Sequence, residues 1–124
     1  MSTSEIATVL AWHDALNERD VDTLLALCTE DVELGGTAGA RQGKPALQHW
    51  AASHGATLTV GRTFVCAGTV VAEEQESTPD AGGSRTVATA FHVAEDRISG
   101  VFRHDTLAEA LEQTGLSESD EWTG

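Results

Sequence analysis

The second half of the chain alternates apolar and polar residues with the period of a β-strand, and this pattern limits the fold more than any other feature. A strand points successive side chains to opposite faces, so such alternation is typical of strands that bury one face. Turn residues separate the alternating runs at Ala67-Gly68, residues 79–83 and Glu95-Asp96. Consecutive strands joined by short turns predict an antiparallel meander. We place its four strands at residues 57–67, 69–77, 85–94 and 97–105.

The first half has helical patterns instead. Apolar side chains recur there at the spacing of one helix face. Asp20 is a favoured N-cap residue, and Pro45 suits the first turn of a helix, where its missing N–H costs nothing. We predict helices at residues 5–17, 21–29, 44–55 and 107–116, with a short strand at 32–34 and a glycine-rich loop at 35–43.

Three helices followed by a meander predict an α+β fold in which the helices pack on the concave face of a curved antiparallel sheet. This arrangement leaves a cavity between the two layers. A chain of 124 residues fits one domain, which we assign to residues 1–116. Residues 117–124 are acidic and are predicted to form a flexible tail.

The formal net charge of −13 argues against several classes of partner. Nucleic acids and anionic membranes attract basic surfaces, so we expect neither as a partner. No run approaches the ~20 apolar residues of a membrane helix. Residues 1–5 lack a secretory pattern, which predicts a cytoplasmic protein. Cys28, Cys66 and the histidines form no metal-binding motif, so neither a metal nor a cofactor is expected.

The last predicted strand interleaves apolar residues with ionisable groups. One face of it delivers either a carboxylate or an imidazole to the cavity, and the residues alone do not decide which. Alternation places Val101, Arg103 and Asp105 on one face, and Ile98, Gly100, Phe102 and His104 on the other.

Three segments of the chain, Ala15 to Val32, Gly43 to Leu47 and Asp96 to Leu116, resemble the nuclear transport factor 2-like superfamily in its SnoaL-like branch. The resemblance covers residues 5–116 and implies a cone-shaped scaffold. Ketosteroid isomerases, limonene-type epoxide hydrolases and polyketide cyclases are kin to this branch. Because one scaffold hosts enzymes, binding proteins and assembly modules, function must be argued from the site.

Ketosteroid isomerase chemistry matches this chain poorly. By the resemblance, the tyrosine, the base and the second acid of that chemistry look like Trp12, Gly36 and Thr89. An indole N–H donates a hydrogen bond but does not titrate usefully, and glycine supplies no base.

Epoxide hydrolase chemistry needs an aspartate–arginine–aspartate set. By the resemblance, its final aspartate matches Asp105, while the arginine and first aspartate look like Glu74 and Glu76. Without the arginine, either one carboxyl is protonated or Glu74 and Glu76 face solvent. The acidic run 73–76 favours the second alternative.

Polyketide cyclase chemistry is the least demanding, since the resemblance implies a single aspartate near the end of the last strand as general base. Asp105 occupies that place, and desolvation would raise its pKa towards working pH. Asp105 is equally suited to cap the closing helix. His13 and His104 are the histidines we select as catalytic partners.

The predicted cavity wall is mostly apolar, as small-molecule sites usually are, and predicts a small apolar or polycyclic ligand. Two hypotheses follow: a cofactor-independent acid–base enzyme (cyclase, isomerase or epoxide-opening), or a non-catalytic binding or dimerisation module. A homodimer is expected through the exposed sheet face, where Val65, Ala88, Ala90 and Ile98 are small or apolar. The predicted substrate-binding wall consists of Trp12, Leu16, Leu34, Trp50, Phe64, Phe91, Val93, Val101 and Phe102.

Overall fold

The computed structural model describes residues 2–36, 39–53, 55–78 and 83–122. His54 and most of the predicted turn at 79–83 lie outside the described residues. The elements, in chain order, are α1 (Ser2–Asn17), α2 (Val21–Ala26), β1 (Cys28–Gly35), β2 (Arg41–Gln42), α3 (Lys44–Ser53), β3 (Thr57–Cys66), β4 (Thr69–Thr78), β5 (Gly83–Ala94), β6 (Arg97–His104), α4 (Leu107–Thr114) and a 3₁₀ helix (Glu118–Asp120).

The predicted meander is confirmed, because β3 to β6 pair consecutively and antiparallel. Two of its hairpin turns place both central residues at positive φ, Ala67 with Gly68 and Glu95 with Asp96. Such turns match the twist of the flanking strands and hold the register of each hairpin.

The sheet has six strands in the order β2-β1-β6-β5-β4-β3 and is mixed, whereas the sequence predicted a purely antiparallel sheet. β1 runs parallel to β6 and covers the edge that the meander would otherwise leave open. This pairing also lengthens β1, which was predicted only at 32–34, and ends α2 at Ala26 rather than at residue 29.

The main core lies between the N-terminal helices and the inner face of the sheet. Ile6, Val9, Trp12 and Leu16 of α1 are buried in it, with Val70 and Ala72 of β4, Phe91 of β5 and Val101 of β6. α1 contacts β3, β4, β5 and β6, and α3 contacts β1 and β2. The concave packing of the helices therefore agrees with the predicted α+β fold.

The outer face of the sheet is covered by α4. The sequence predicted this helix but did not predict where it packs. Ala110 of α4 packs with Ala88 and Ala90 of β5 in a second buried cluster. The sequence pattern predicted that these two alanines lie on a dimer surface. This prediction is wrong, because α4 buries them. Ile98 was expected there as well, but a bulge in β6 pairs Ile98 with Val93 and Gly100 with His92, which turns Ile98 into the main core.

Val65 is partly buried against the main core rather than lying on the outer face. The segment after α4, expected to be a flexible tail, is bound to β3 as far as Trp122. The backbone N–H of Trp122 donates to the carbonyl of Thr63 at 2.8 Å, and Arg62 donates to Glu118 and Glu121. No helix in the described part of the chain is long and apolar enough to cross a membrane.

Candidate functional site

An open cavity of about 450 Å³ lies between α1, α3 and the inner face of the sheet. One part of its wall is apolar and the other is polar and strongly charged. The apolar side chains are Trp12, Leu34, Trp50, Leu58 and Val101. The polar ones are Arg41, His49, Ser53, Glu76, Arg85, Thr89 and Arg103.

Two stacked indole rings dominate the apolar part. The rings of Trp12 and Trp50 lie 5.9 Å apart with an angle of 20° between their planes. Phe91 supports Trp12 from behind through an edge contact at 5.1 Å. Trp12 is 1% exposed, so its orientation is fixed by packing, and it serves as a rigid support for the ring of the half-buried Trp50.

The register of the meander brings together the side chains of the charged part of the cavity wall. Glu76 of β4 pairs directly with Arg85 of β5, and Thr89 of β5 pairs directly with Arg103 of β6. Directly opposed residues share a face of the sheet, so these four side chains point into the same layer. Arg85 Nε donates to Glu76 Oε2 at 3.0 Å, and Arg103 Nη2 donates to Glu76 Oε1.

Glu76 is thus held between two guanidinium groups. Burial would raise the pKa of its carboxyl, but hydrogen bonds from Arg103 and Arg85, together with their positive charges, lower that pKa below its ordinary value. Glu76 is therefore a carboxylate at neutral pH. A group that is ionised at neutral pH is a poor proton donor, but it orients the two guanidinium groups well.

A second polar chain begins at the cavity and runs into the core. Thr89 Oγ1 donates to Glu74 Oε1 at 2.7 Å, and Glu74 Oε2 contacts His13 Nε2. His13 Nδ1 lies 2.8 Å from the carbonyl of Val9, which can only accept, so Nδ1 carries a proton. Glu74 and His13 are 1% and 2% exposed. Thr89 therefore connects the cavity wall to a buried carboxyl–imidazole pair.

The acidic run 73–76 predicted that Glu74 and Glu76 face solvent, but Glu74 is buried and Glu76 lines the cavity. Both continue the inward face of β4 that begins with Val70 and Ala72, since side chains on a strand alternate. Extending that alternation through the acidic run would have found them. The sequence pattern does not place Arg85 and Arg41 on the cavity wall, because their positions follow only from the pairing of β4 with β5 and of β1 with β2.

The predicted catalytic residues do not meet at the cavity. Asp105 follows the last residue of β6, is exposed and does not line the cavity. It does not cap α4 either, because Thr106 accepts the hydrogen bond from the Glu109 N–H. His104 lies on the outer face, where its Nδ1 is 3.1 Å from a carboxylate oxygen of Glu109. His13 is buried behind the wall.

The predicted wall residues divide into three groups. Trp12, Leu34, Trp50 and Val101 line the cavity. Leu16, Phe91 and Val93 belong to the core behind it. Phe64 and Phe102 belong to the outer cluster under α4, because their strand positions face away from the N-terminal helices. No cluster of three or more potential metal ligands occurs in the described part of the chain.

Comparison with solved structures places this architecture among known proteins. A candidate ketosteroid isomerase from Kribbella flavida superposes with a TM-score of 0.74 at 19% identity, covering 82% of this chain and 77% of that one. A candidate polyketide cyclase from Sinorhizobium meliloti gives 0.69 at 20% identity, with coverages of 79% and 94%. An LEH-like epoxide hydrolase from M. tuberculosis gives 0.71 at 17%, with coverages of 90% and 89%. At these identities the likeness concerns the fold.

No curated protein matches the sequence significantly. The sequence profile of the SnoaL-like domain, in contrast, matches residues 9–101, which is more than half of the chain. That segment runs from the middle of α1 to β6 and contains most of the cavity wall. Profile and fold agree, and the chain belongs to the SnoaL-like domain family.

Proposed function

We propose that the cavity binds a small organic molecule with a flat, apolar ring system. The observation that carries this proposal is the stacked pair of Trp12 and Trp50 on the wall of an open 450 Å³ cavity. Small-molecule sites are concave and mostly apolar, with few polar groups that set orientation. Leu34, Leu58 and Val101 extend the apolar surface beside the indoles.

A fluorescence titration tests this binding. We expect the flat neutral probe 2-naphthamide to quench the tryptophan emission saturably. Trp50→Ala should raise its Kd about tenfold, since aromatic contacts of this kind contribute on the order of 1 kcal/mol. Trp122→Phe is the matched control, because Trp122 does not line the cavity. An equal loss of affinity in both variants would place binding elsewhere.

A second candidate function, acid–base catalysis, is supported by the chain from Thr89 to Glu74 and His13. In this function Thr89 Oγ1 takes a proton from a carbon next to a carbonyl of the bound substrate while it passes its own proton to Glu74 Oε1. The substrate becomes an enolate, and the carboxyl–imidazole pair holds the extra proton.

Deuterium exchange separates the enzyme from the non-catalytic module. We expect the protein to accelerate exchange of the acidic C–H of 2-tetralone in D₂O, followed by NMR, and Thr89→Val to abolish that acceleration. Thr63→Val is the control, since Thr63 is buried on β3 but does not line the cavity. Binding without any acceleration would favour the non-catalytic module.

A further inference from the structure

The cavity has the opposite charge to the rest of the protein. The chain has 20 acidic residues and 7 lysines and arginines, for a net charge of −13. Three of those basic residues, Arg41, Arg85 and Arg103, line the cavity, whereas Glu76 is the single lining carboxylate among the described residues. The cavity wall is therefore net positive within a strongly negative molecule. Walls of one charge sign attract ligands of the other.

The arginines of the wall have more hydrogen-bonding capacity than their partners use. A guanidinium has five N–H donors. Arg103 uses Nη2 and Arg85 uses Nε on Glu76, and their other donors have no acceptor within the described ranges. The side chain of Arg41 has no ion pair or hydrogen bond to another residue within the described ranges. Glu76 thus holds two guanidinium groups in place without saturating them.

Arg62 shows how this protein pairs an arginine whose role is structural. It lies outside the cavity, and its Nε and Nη2 are bound by two carboxylates, Glu118 and Glu121, at 2.7–3.1 Å. In the cavity, Arg85 and Arg103 share one carboxylate, that of Glu76, and the Arg41 guanidinium has no ion pair within the described ranges. Arg103 is also withdrawn from water, with 28% of its side chain exposed. Glu76 is already the partner of Arg103, whereas Arg85, with 65% of its side chain exposed, and the exposed Arg41 keep donors that no protein group within the described ranges accepts.

An anionic ligand would accept hydrogen bonds from the guanidinium donors that Glu76 leaves unused. We propose that the ligand is a flat aromatic acid, ionised at neutral pH, whose rings lie against Trp50, backed by Trp12, and whose anionic oxygens accept hydrogen bonds from Arg103, Arg85 and Arg41. The two parts of the wall then recognise the two parts of one molecule. Guanidinium groups bind carboxylate oxygens in pairs, which fixes orientation as well as affinity. This inference rests on the proposed function, because it names the chemical class of the same ligand.

Two probes of equal ring size, 2-naphthoate and the neutral 2-naphthamide, isolate the charge. Their Kd values are measured by tryptophan fluorescence at about 20 mM salt, where electrostatic contributions are largest. We expect the naphthoate to bind about tenfold more tightly than the amide, the ratio that one charge-assisted hydrogen bond supplies. Raising the salt to about 500 mM should weaken naphthoate binding more than amide binding.

Single arginine variants locate the effect. Arg103→Gln and Arg41→Gln should each bring the ratio of the two affinities close to one. Arg41→Gln protects the test against misfolding, since Arg41 is exposed and has no ion pair within the described ranges. Arg97→Gln is the matched control: it removes one charge from an exposed position of β6 outside the cavity, and should leave the ratio unchanged.

The outcomes distinguish the two proposals. If neither probe binds, the proposed function itself fails. If both bind wild type with equal affinity, the cavity binds rings but the anion inference is overturned. If Arg97→Gln lowers the ratio as much as Arg41→Gln does, the preference comes from overall charge and not from the cavity, and the inference is again overturned.

Discussion

Glu76 makes the stability of the protein depend on acid pH. Its pKa in the folded state lies below the ordinary value of about 4.5, because Arg103 and Arg85 outweigh the effect of burial. The unfolded chain therefore binds this proton more tightly than the folded one. The stabilisation by Glu76 is complete above the ordinary value and is lost as the pH falls through the lower folded value.

We predict that Glu76→Gln flattens this dependence. The free energy of unfolding in urea should fall less between about pH 7 and about pH 3 in the variant than in wild type. Glu33→Gln is a suitable control, since Glu33 is exposed and has no ion pair among the described residues. Equal pH dependence in wild type and Glu76→Gln would mean that the two guanidinium groups do not stabilise the ionised carboxylate.

The buried pair of Glu74 and His13 is the other residue-scale determinant. Glu74→Met keeps the volume but leaves the imidazole Nε2 of His13 buried without its partner, so we expect a loss of about 3 kcal/mol in unfolding free energy. Adding His13→Leu removes the stranded group. The double variant should lose clearly less than the sum of the single losses, as urea unfolding of all four proteins would show. Additive losses would contradict an energetic coupling between the two side chains.

At the scale of elements, helix α4 is terminated by a glycine whose backbone has the left-handed conformation. Gly115 has φ 76°, and its N–H bonds the carbonyl of Glu112. We predict that Gly115→Ala costs about 1 kcal/mol of unfolding free energy, since other residues are strained in this conformation. Space is not the cause, because a Cβ there would meet nothing within 4 Å.

Gly83 is the matched control for Gly115. A Cβ at Gly83 also meets nothing within 4 Å, but this strand residue has no positive φ. Gly83→Ala should therefore leave the urea midpoint unchanged or slightly raised. If both substitutions cost the same, backbone conformation does not explain the requirement for Gly115.

At the scale of the whole molecule, the two cysteines report on the integrity of the fold. Cys28 is fully buried, and burial raises the pKa of its thiol to about 11, against smaller opposing effects of Lys44 and Trp12. Cys66 is exposed. Because the thiolate is the reactive form, an aromatic disulfide reagent should modify Cys66 alone in the native protein and both thiols in urea.

The variant Cys66→Ser should then show no rapid reaction in the native state. The raised pKa of Cys28 also means that the folded protein binds this proton more tightly than the unfolded chain does. The stabilisation contributed by the protonated Cys28 thiol is present below about pH 9 and is lost as the pH rises through about 11. Rapid native reaction at Cys28 would show that the core opens readily.

The predicted homodimer lacks the surface on which it was placed. Leu10 is the one large apolar side chain that the described part of the chain exposes, because α4 covers the apolar centre of the outer sheet face. Dimerisation remains a prediction, and another surface would have to carry it. Sedimentation at micromolar concentration measures it directly.

The sequence by itself determined the elements whose signals are local. Alternation and turn residues identified the four long strands within a few residues, and helical periodicity with capping residues identified α1, α3 and α4. The cavity between helices and sheet also followed, since amphipathic layers must bury their apolar faces against each other. Trp12, Leu34, Trp50 and Val101 were found in this way.

Only the tertiary structure decided which groups meet in the cavity. The bulge in β6 reverses the facing of Ile98, and the pairing of β4 with β5 brings Glu76 against Arg85. The parallel pairing of β1 with β6 joins residues 28–35 to residues about 70 positions later, which no local pattern encodes. A strand pattern states that side chains alternate, but register and partners decide what each one faces. For that physical reason the proposed site moved from Asp105 to the arginines around Glu76.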